Sequence, residues 1–435
     1  VGSEMCIRDR CCTVRPSLKR PTKLTAEAIA HHLAPNVSGP LSGIRVLEMG
    51  SFIAGPFAGQ LLGDYGAEVI KVEPPEVGDP MRKWGHCDKE GHSFWWPAIA
   101  RNKKSVVINL RSDEGRAVVR DLALQSDVVL ENFTPGRLAE WQLGYEHLTK
   151  ENPGLIMTHV SGFGQTGPRA TDPGFGSIGE AMGGIRHTTG WPDRQSTRAG
   201  ISLGDAIASL FAVIGTMAAL NERQHSGKGQ EVDVAIYEAV FALMESTVAD
   251  FELGGHIRGR TGSVLPRVAP SNVYPTADGA DVLIAGNADA IFRRICDAMN
   301  RSDLADDPRY INHESRGVNQ TELDDLIAAW TSELPVEELE AILDTNAIPY
   351  GRIFTAPDML ADPQFAARQL IERYEDKVLG KDVPMAAPVP NFSRTPGRIA
   401  STGPELGQHT DKVLSEVASY SDKQIRELHT QGIIA

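Results

Sequence analysis

The first half of the chain alternates between short apolar runs and segments whose apolar residues follow a helical spacing. The apolar runs are bounded by turn residues and predict five strands, over 43–49, 68–73, 105–110, 127–132 and 155–160. Between two of them, Val118, Val119 and Leu122 share one helical face and predict a helix over 113–126. Strands that alternate with helices predict an α/β fold with a mainly parallel, doubly wound sheet.

The pattern changes after the fifth strand. Residues 162–190 contain nine glycines and few strand signals. A long helix is predicted from 205 to about 224, and a second one over 236–253. Two short strands and a helix over 273–300 then predict a smaller α/β unit, which follows a glycine-containing connection at 254–262.

Composition excludes several classes of protein. The 43 Lys and Arg against 57 Asp and Glu give a net charge of −14 over 435 residues, which argues against nucleic acid as a partner. The longest apolar stretch, 207–220, is interrupted by polar residues and predicts no membrane span. Three of the five cysteines lie in the first twelve residues, and no disulfide or zinc spacing occurs, so we expect a cytoplasmic protein.

Two motifs suggest chemistry only weakly. Gly162, Gly164 and Gly167 have the spacing of a dinucleotide-binding loop, but Pro168 follows and no helix is predicted to begin there. An NAD-linked dehydrogenase is therefore a minor alternative. The ligand-type residues of 86–92 lie in a polar loop without a metal-binding spacing, and we predict no metal site.

A carboxylate and a set of cations are stronger candidates. Asp205 precedes the long helix, where a helix cap is the favoured interpretation and a nucleophile is the alternative. Several cations lie just after predicted strands, where open α/β sheets bind ligands, and favour a phosphate-bearing ligand. They are Lys71, Arg82, Lys83, Arg101, Lys103, Lys104 and Arg137.

Four stretches, in this order and spacing, resemble the family III CoA-transferases, which include carnitine and formyl-CoA transferases and α-methylacyl-CoA racemases. They are LSGIRVL (41–47) with AGP (54–56), GAEVIKVEP (66–74), ENFTPG (131–136) and SGFGQTGP (161–168). Shorter matches are GD at 204–205, GKGQ at 227–230 and DPR at 307–309. The resemblance extends from about 41 to about 398.

The resemblance implies a large Rossmann-like domain made from both chain ends, a smaller α/β domain, and an obligate homodimer of interlocked chains. With it, we divide the chain into five parts. They are an N-terminal extension (1–35) that is disordered or non-native, the first part of the large domain (36–235), a linker (236–261), a small domain (262–335), and a linker that returns to the large domain (336–435).

The resemblance also implies the site. It makes Asp205 the nucleophile, which becomes an aspartyl-CoA thioester as CoA moves from a donor to an acceptor acid. CoA is a substrate, and no permanent cofactor is expected. The residues that the resemblance places against CoA are Ile53, Ala54, Lys71, Asn102, Lys104, Asn132, Phe133, Arg137 and Phe175.

The expected substrate class and the alternative functions depend on details of the resemblance to the family. The stretch 174–190 resembles family members that act on dicarboxylates such as succinate or citramalate, and Arg186, Arg198 or Arg267 could pair with a second carboxylate. Succinyl-CoA is therefore the expected donor. The racemase alternative is disfavoured because Phe175 occupies the position of the racemase histidine, with His187 the nearest substitute. A non-catalytic CoA-binding protein is the alternative of another class.

Overall fold

A six-stranded sheet organises the larger part of the molecule. The structure is a computed structural model that describes residues 39–435, so the predicted extension over 1–35 lies outside the described residues. The strands are β1 (Arg45–Met49), β2 (Glu68–Glu73), β3 (Lys103–Val107), β4 (Val128–Glu131), β5 (Ile156–Ser161) and β6 (Glu231–Ala235). Their spatial order is β3-β2-β1-β4-β5-β6, and every neighbouring pair is parallel. The chain changes direction across the sheet between β1 and β4, as in doubly wound folds. The predicted α/β class is confirmed.

Helices cover both faces of this sheet. They are α1 (Ala54–Asp64), α2 (Trp96–Ile99), α3 (Asp113–Leu124), α4 (Arg137–Glu140), α5 (Tyr145–Leu148), α6 (Gly176–Met182), α7 (Ile185–Thr188), α8 (Leu203–Ser226), α9 (Ile236–Phe241) and α10 (Thr247–Gly254), with a 3-10 turn at Pro80–Lys83. One apolar core joins α1, α8 and α9 to the sheet, and the other joins α3 to the opposite face. The central strands are buried on both faces, which explains their nearly continuous apolar runs.

The long helix α8 begins two residues earlier than predicted. Ser202 is its N-cap residue, and Asp205 is the third residue of its first turn. The interpretation of Asp205 as a cap is therefore wrong. By length and composition alone α8 could cross a membrane, but half of its apolar window is buried in the fold. Ala208 and Ala212 on that buried face belong to the core beneath the sheet.

The second predicted helix is two helices. A turn between α9 and α10 contains Glu245, whose φ of +50° is incompatible with a continuous helix. Ile236, Ala239 and Val240 belong to the core of the large sheet, although they lie in the stretch 236–261 that we predicted to be a linker.

The smaller unit contains a three-stranded antiparallel sheet with its own core. Its strands are β7 (Ser271–Pro275), β8 (Asp281–Ala285) and β9 (Tyr350–Arg352). Its helices are α11 (Asp289–Ala298), α12 (His313–Val318), α13 (Gln320–Thr331) and α14 (Val336–Thr345), with a 3-10 turn at Ser302–Ala305. Both α14 and β9 lie beyond residue 335, where we predicted the small domain to end.

The C-terminal segment returns to the large sheet. It contains α15 (Ala356–Ala361), α16 (Pro363–Ala367), the hairpin of β10 (Ile371–Asp376) and β11 (Lys381–Ala386), α17 (Thr410–Glu416) and α18 (Asp422–Thr430). Val413, Leu414 and Ile425 enter the second core of the sheet. A backbone bridge joins Ile108 to Ile434, so the last residues of the described chain lie beside β3.

Candidate active site

A cleft opens at the carboxyl ends of β1 and β4, where the strand order reverses. Open α/β sheets bind ligands at this position. The cleft has a volume of about 380 Å³, and Asp205 is one of the residues that line it. Its walls come mainly from four segments: the loops after β1 and β4, the end of β5 with Gly162, and the glycine-rich stretch before α6. They include residues 51–54, 132–135, 160–162 and 172–175.

Asn132 fastens the first two walls together. Its side-chain oxygen accepts a hydrogen bond from the Ser51 amide, and its side-chain nitrogen donates to the Ser51 carbonyl, both at 2.8 Å. The backbone approaches this amide closely, since a Cβ on Gly50 would lie 3.2 Å from the Asn132 oxygen. Phe52, which follows Ser51, adopts a φ of +63° and directs the chain into the cleft wall.

Asp205 enters the cleft from the first turn of α8. That turn is anchored because the Ser209 hydroxyl donates to the carbonyl of Ala54 at 2.6 Å. Gly176 packs directly on the carboxylate: a Cβ there would lie 2.2 Å from Oδ2 of Asp205. Among the described residues, no cation forms an ion pair with Asp205.

The environment of Asp205 makes its charge unfavourable. Burial, followed by the negative charge of Glu180, raises the pKa of Asp205 to about 6. Glu180 is 3% exposed and binds the Gly204 amide and Arg186. Above pH 6 the carboxylate is ionised, next to a like charge and without a cation, which suits a nucleophile.

Aromatic side chains form the outer rim of the cleft. Phe175 is 65% exposed, and its ring lies edge-on to Phe52 with centroids 6.5 Å apart. Phe52 also contacts Trp84 edge-on at 5.7 Å. The rim is an apolar surface suited to the uncharged part of an elongated ligand.

Five of the residues predicted to contact CoA line the cleft together with Asp205. They are Ile53, Ala54, Asn132, Phe133 and Phe175. The amide of Phe133 donates to Glu131 at 2.7 Å, and Glu131 in turn binds His159. The loop after β4 is therefore held from behind by buried polar groups.

Lys71 lies behind the wall rather than in the cleft. Its side chain is fully buried, and its ammonium has three acceptors at 2.8 Å: Glu48, Asp79 and the carbonyl of Gly50. An ammonium has three N–H donors, so none remains for a ligand. We therefore correct its predicted contact with CoA: Lys71 supports the loop after β1. Burial alone lowers the pKa of Lys71, but the charges of Glu48 and Asp79 outweigh this and raise it.

The other three predicted CoA contacts do not line the cleft. The Asn102 side chain donates to Asp64 and to the Arg398 carbonyl, and accepts from the Ala400 amide at 2.7 Å, so it fastens the C-terminal segment. Lys104 pairs with Glu68. Arg137 is half exposed on α4 and pairs with Glu140 at 2.8 Å; for these two cations, contact with CoA stays a prediction.

The motifs for dinucleotide and racemase chemistry each lack a required element. The chain after Gly167 runs as a loop to α6, so the glycine motif lacks the helix that a dinucleotide needs. His187 is exposed on α7 and does not line the cleft. Asp88, Glu90 and His92 bring possible ligand atoms within 4.8 Å of one another in a polar surface loop, and the absence of a metal site there stays a prediction.

Sequence reasoning missed Glu180 and Gly176. No local signal separates Glu180 from a surface glutamate, because its burial depends on α8 packing against α6. The close contact between Gly176 and Asp205 depends on the same packing.

The comparisons with known proteins agree with this geometry. The family model of CoA-transferase family III matches residues 41–410. A succinyl-CoA–D-citramalate CoA-transferase from Chloroflexus aurantiacus is 54% identical over 91% of this chain and 98% of its own. A succinate–glutarate CoA-transferase from Agrobacterium fabrum is 39% identical over 88% and 97% of the two chains.

A solved structure shows the same fold. A CAIB/BAIF family protein from Brucella suis is 34% identical, with a TM-score of 0.79, over 87% of this chain and all of that one. The chain therefore belongs to CoA-transferase family III and is a CoA-transferase. The predicted family and activity class are confirmed.

Proposed function

We propose that this enzyme transfers CoA from succinyl-CoA to a dicarboxylic acid, with Asp205 as the covalent nucleophile. The observation that carries the proposal is the position of Asp205, an ionisable carboxylate in the lining of the cleft that has no ion-pair partner among residues 39–435. The substrate class rests on the similar proteins that transfer CoA to citramalate and glutarate.

The proposed reaction proceeds through four acyl exchanges. Asp205 attacks the donor thioester, which expels CoA thiolate and leaves a mixed anhydride on the enzyme. The thiolate attacks the aspartyl carbonyl, releasing the donor acid and forming an aspartyl-CoA thioester. The acceptor carboxylate then attacks this thioester and again expels the thiolate. The thiolate takes the acceptor acyl group from the second anhydride and restores the Asp205 carboxylate.

The cleft offers complementary surfaces for the two ends of an acyl-CoA. The aromatic rim of Phe52 and Phe175 suits the pantetheine chain, and Asn132 with Phe133 forms the wall that the acyl end passes. No permanent cofactor is needed, because the Asp205 carboxylate and the CoA thiolate supply all the covalent chemistry.

An anchor for a second carboxylate is less direct. Of the three candidate arginines, Arg186 is linked to the nucleophile through Glu180. Its Nε donates a hydrogen bond to Glu180 at 2.6 Å, and Glu180 acts on the pKa of Asp205. Arg198 bonds neighbouring backbone carbonyls at the surface, and Arg267 lies in an exposed turn. None of the three arginines lines the cleft, so none of them is assigned as the contact for the second carboxylate.

We also propose the interlocked homodimer. One face of α8 carries the exposed apolar residues Leu210, Ile214 and Met217 at helical spacing. The neighbouring α9 and α10 expose Phe241 and Phe251, among others. An apolar face of this extent favours burial against a second chain. Light scattering at low micromolar concentration is expected to give about twice 47.1 kDa, and an active monomer would contradict the dimer.

The nucleophile is tested with two substitutions. Asp205→Ala and Asp205→Asn are expected to lower kcat by about three orders of magnitude or more, with acyl-CoA binding within about threefold, because the CoA walls remain intact. Hydroxylamine added during turnover is expected to convert Asp205 to a hydroxamate, visible as a mass shift on its peptide. Substantial activity in Asp205→Asn, or a peptide without adduct, would contradict the mechanism.

The substrate class is tested with a panel of acceptors. Succinyl-CoA as donor and C4 or C5 dicarboxylates as acceptors are expected to give the highest kcat/KM. Monocarboxylates of equal length serve as the matched control, since they lack only the second carboxylate. If they are used as well as the diacids, the dicarboxylate assignment is wrong.

A further inference from the structure

Glu180 is a buried carboxylate between the helix of the nucleophile and α7. One of its oxygens accepts a hydrogen bond from the Gly204 amide at 3.0 Å, and the other accepts from Nε of Arg186 at 2.6 Å. It lies outside the lining of the cleft, so it does not face substrate.

The bond to Gly204 has a structural reason. The first amides of a helix have no acceptor within the helix, and the N-cap residue Ser202 makes no side-chain bond to them. Glu180 supplies an acceptor from another helix, at the residue directly before Asp205. The approach is close: a Cβ on Gly204 would lie 2.9 Å from the Glu180 side chain and 2.8 Å from the carbonyl of Gly176.

We propose that Glu180 is a positioning residue for the transfer reaction, which holds the first turn of α8 through Gly204 and thereby orients the Asp205 carboxylate, while Arg186 balances its charge. The inference rests on the proposed function of Asp205. It assigns a role to a residue that touches neither CoA nor the reacting atoms.

The charge of Glu180 acts on the same carboxylate. Burial and Glu180 together raise the pKa of Asp205 to about 6. A more basic carboxylate is a better nucleophile and is still ionised at pH 7 to 8. Arg186 limits the repulsion, because it is a fixed cation on the far side of Glu180.

Other ionisable groups on the elements around α8 and the cleft are bound elsewhere. The elements that pack most extensively against α8 are α1, α6, α9, β5 and β6. The ionisable groups on these elements and in the cleft have partners of their own. Asp64 binds Arg101, and His159 binds Glu131 and Glu231. Asp233 accepts from the Gln165 amide, Glu238 accepts from Tyr237, and Asp172 pairs with Arg169. Glu180 is the group whose charge raises the pKa of Asp205.

The experiment compares three variants in the pH dependence of kcat with saturating succinyl-CoA and acceptor acid. Glu180→Gln keeps an acceptor for the Gly204 amide but removes the charge, so the acidic limb of the profile is expected to move down by about half to one pH unit. Arg186→Gln leaves the charge of Glu180 unbalanced, so the limb is expected to move up by a similar amount. Glu180→Ala loses the acceptor too, and kcat at pH 8 is expected to fall by about tenfold with KM for acyl-CoA within about twofold.

Glu222→Gln is the matched control, because it removes one carboxylate from the exposed far end of the same helix and is expected to leave the profile unchanged. A general loss of packing would not move the limb in opposite directions in two variants. If both Glu180→Gln and Arg186→Gln leave the acidic limb of the kcat profile at the wild-type pH, or move it in the same direction, Glu180 does not position or tune Asp205. The proposed function would fail separately, through activity in Asp205→Ala.

Discussion

Two groups of buried charge flank the cleft, and they are built in opposite ways. Behind the loop after β1, the ammonium of Lys71 has a full set of acceptors, and Lys103 pairs with the second oxygen of Glu48 at 2.7 Å. At the other wall, Asp205 has a like-charged neighbour, Glu180, and no paired cation among the described residues. Compensated charges fix the shape of the loop, whereas the uncompensated charge remains available for chemistry.

Removal of Lys71 is expected to have the largest effect on stability. Lys71→Met leaves Asp79 buried without its ion-pair partner, while Glu48 keeps Lys103, and this costs about 3 to 5 kcal/mol. Urea unfolding measures the loss. Lys83→Met, which removes an exposed lysine nearby, is the control and is expected to change stability by less than about 0.5 kcal/mol. Equal stability of the two variants would show that the buried pairs do not hold the loop.

Gly176→Ala is expected to affect catalysis more than stability. The added methyl group would overlap Oδ2 of Asp205, so the carboxylate must move, and kcat is expected to fall by about 10- to 100-fold. Gly200→Ala is the matched control, because its Cβ would enter open space. A normal kcat in Gly176→Ala would mean that the orientation of Asp205 is not critical.

Asp205→Asn is expected to stabilise the enzyme that it inactivates. The pKa of Asp205 is raised in the folded state, so ionisation costs stability as the pH rises from about 4 to 6, and the cost persists above pH 6. The substitution removes this cost, about 3 kcal/mol at pH 7.5 and almost nothing near pH 4. Urea unfolding of both proteins across this range measures it. A pH-independent difference would contradict the raised pKa.

Arg137→Ala is expected to have the smallest effect on stability. Its ion pair with Glu140 is exposed, and such pairs contribute about 0 to 1 kcal/mol. If Arg137 binds a CoA phosphate, KM for acyl-CoA is expected to rise severalfold while the unfolding midpoint stays constant. Glu140→Ala breaks the same pair without removing the cation, so an equal rise in KM there would argue against the phosphate contact.

Sequence and structure agree where local pattern decides the outcome. The first five strands are close to their predicted positions because each is an apolar run that ends at a turn residue. The two loops of the cleft follow β1 and β4, and the match to family motifs brought Ile53 and Asn132 into one site before the fold was known.

The differences arise where distant segments meet. Lys71 is predicted to bind phosphate because a lysine near the end of a strand usually faces solvent. The prediction fails because Lys71 is buried against Asp79, which lies on a later turn and cannot be paired with it from the sequence. The pKa of Asp205 is another case. A carboxylate in the first turn of a helix is ordinarily stabilised as an anion. Here burial and the charge of Glu180 raise the pKa of Asp205 instead, and neither can be predicted from the residues beside it.

The closure of the large sheet by the C-terminal segment has a consequence for synthesis on the ribosome. The edge strand β3 emerges first, and Thr410, which binds the amide of Val107, is made 303 residues later. Ile434, which bridges to Ile108, follows after it. Until then the nascent chain carries an open sheet edge and an incomplete core, both of which promote aggregation. Production of this enzyme is therefore expected to respond to chaperone supply and translation speed more than the finished fold suggests.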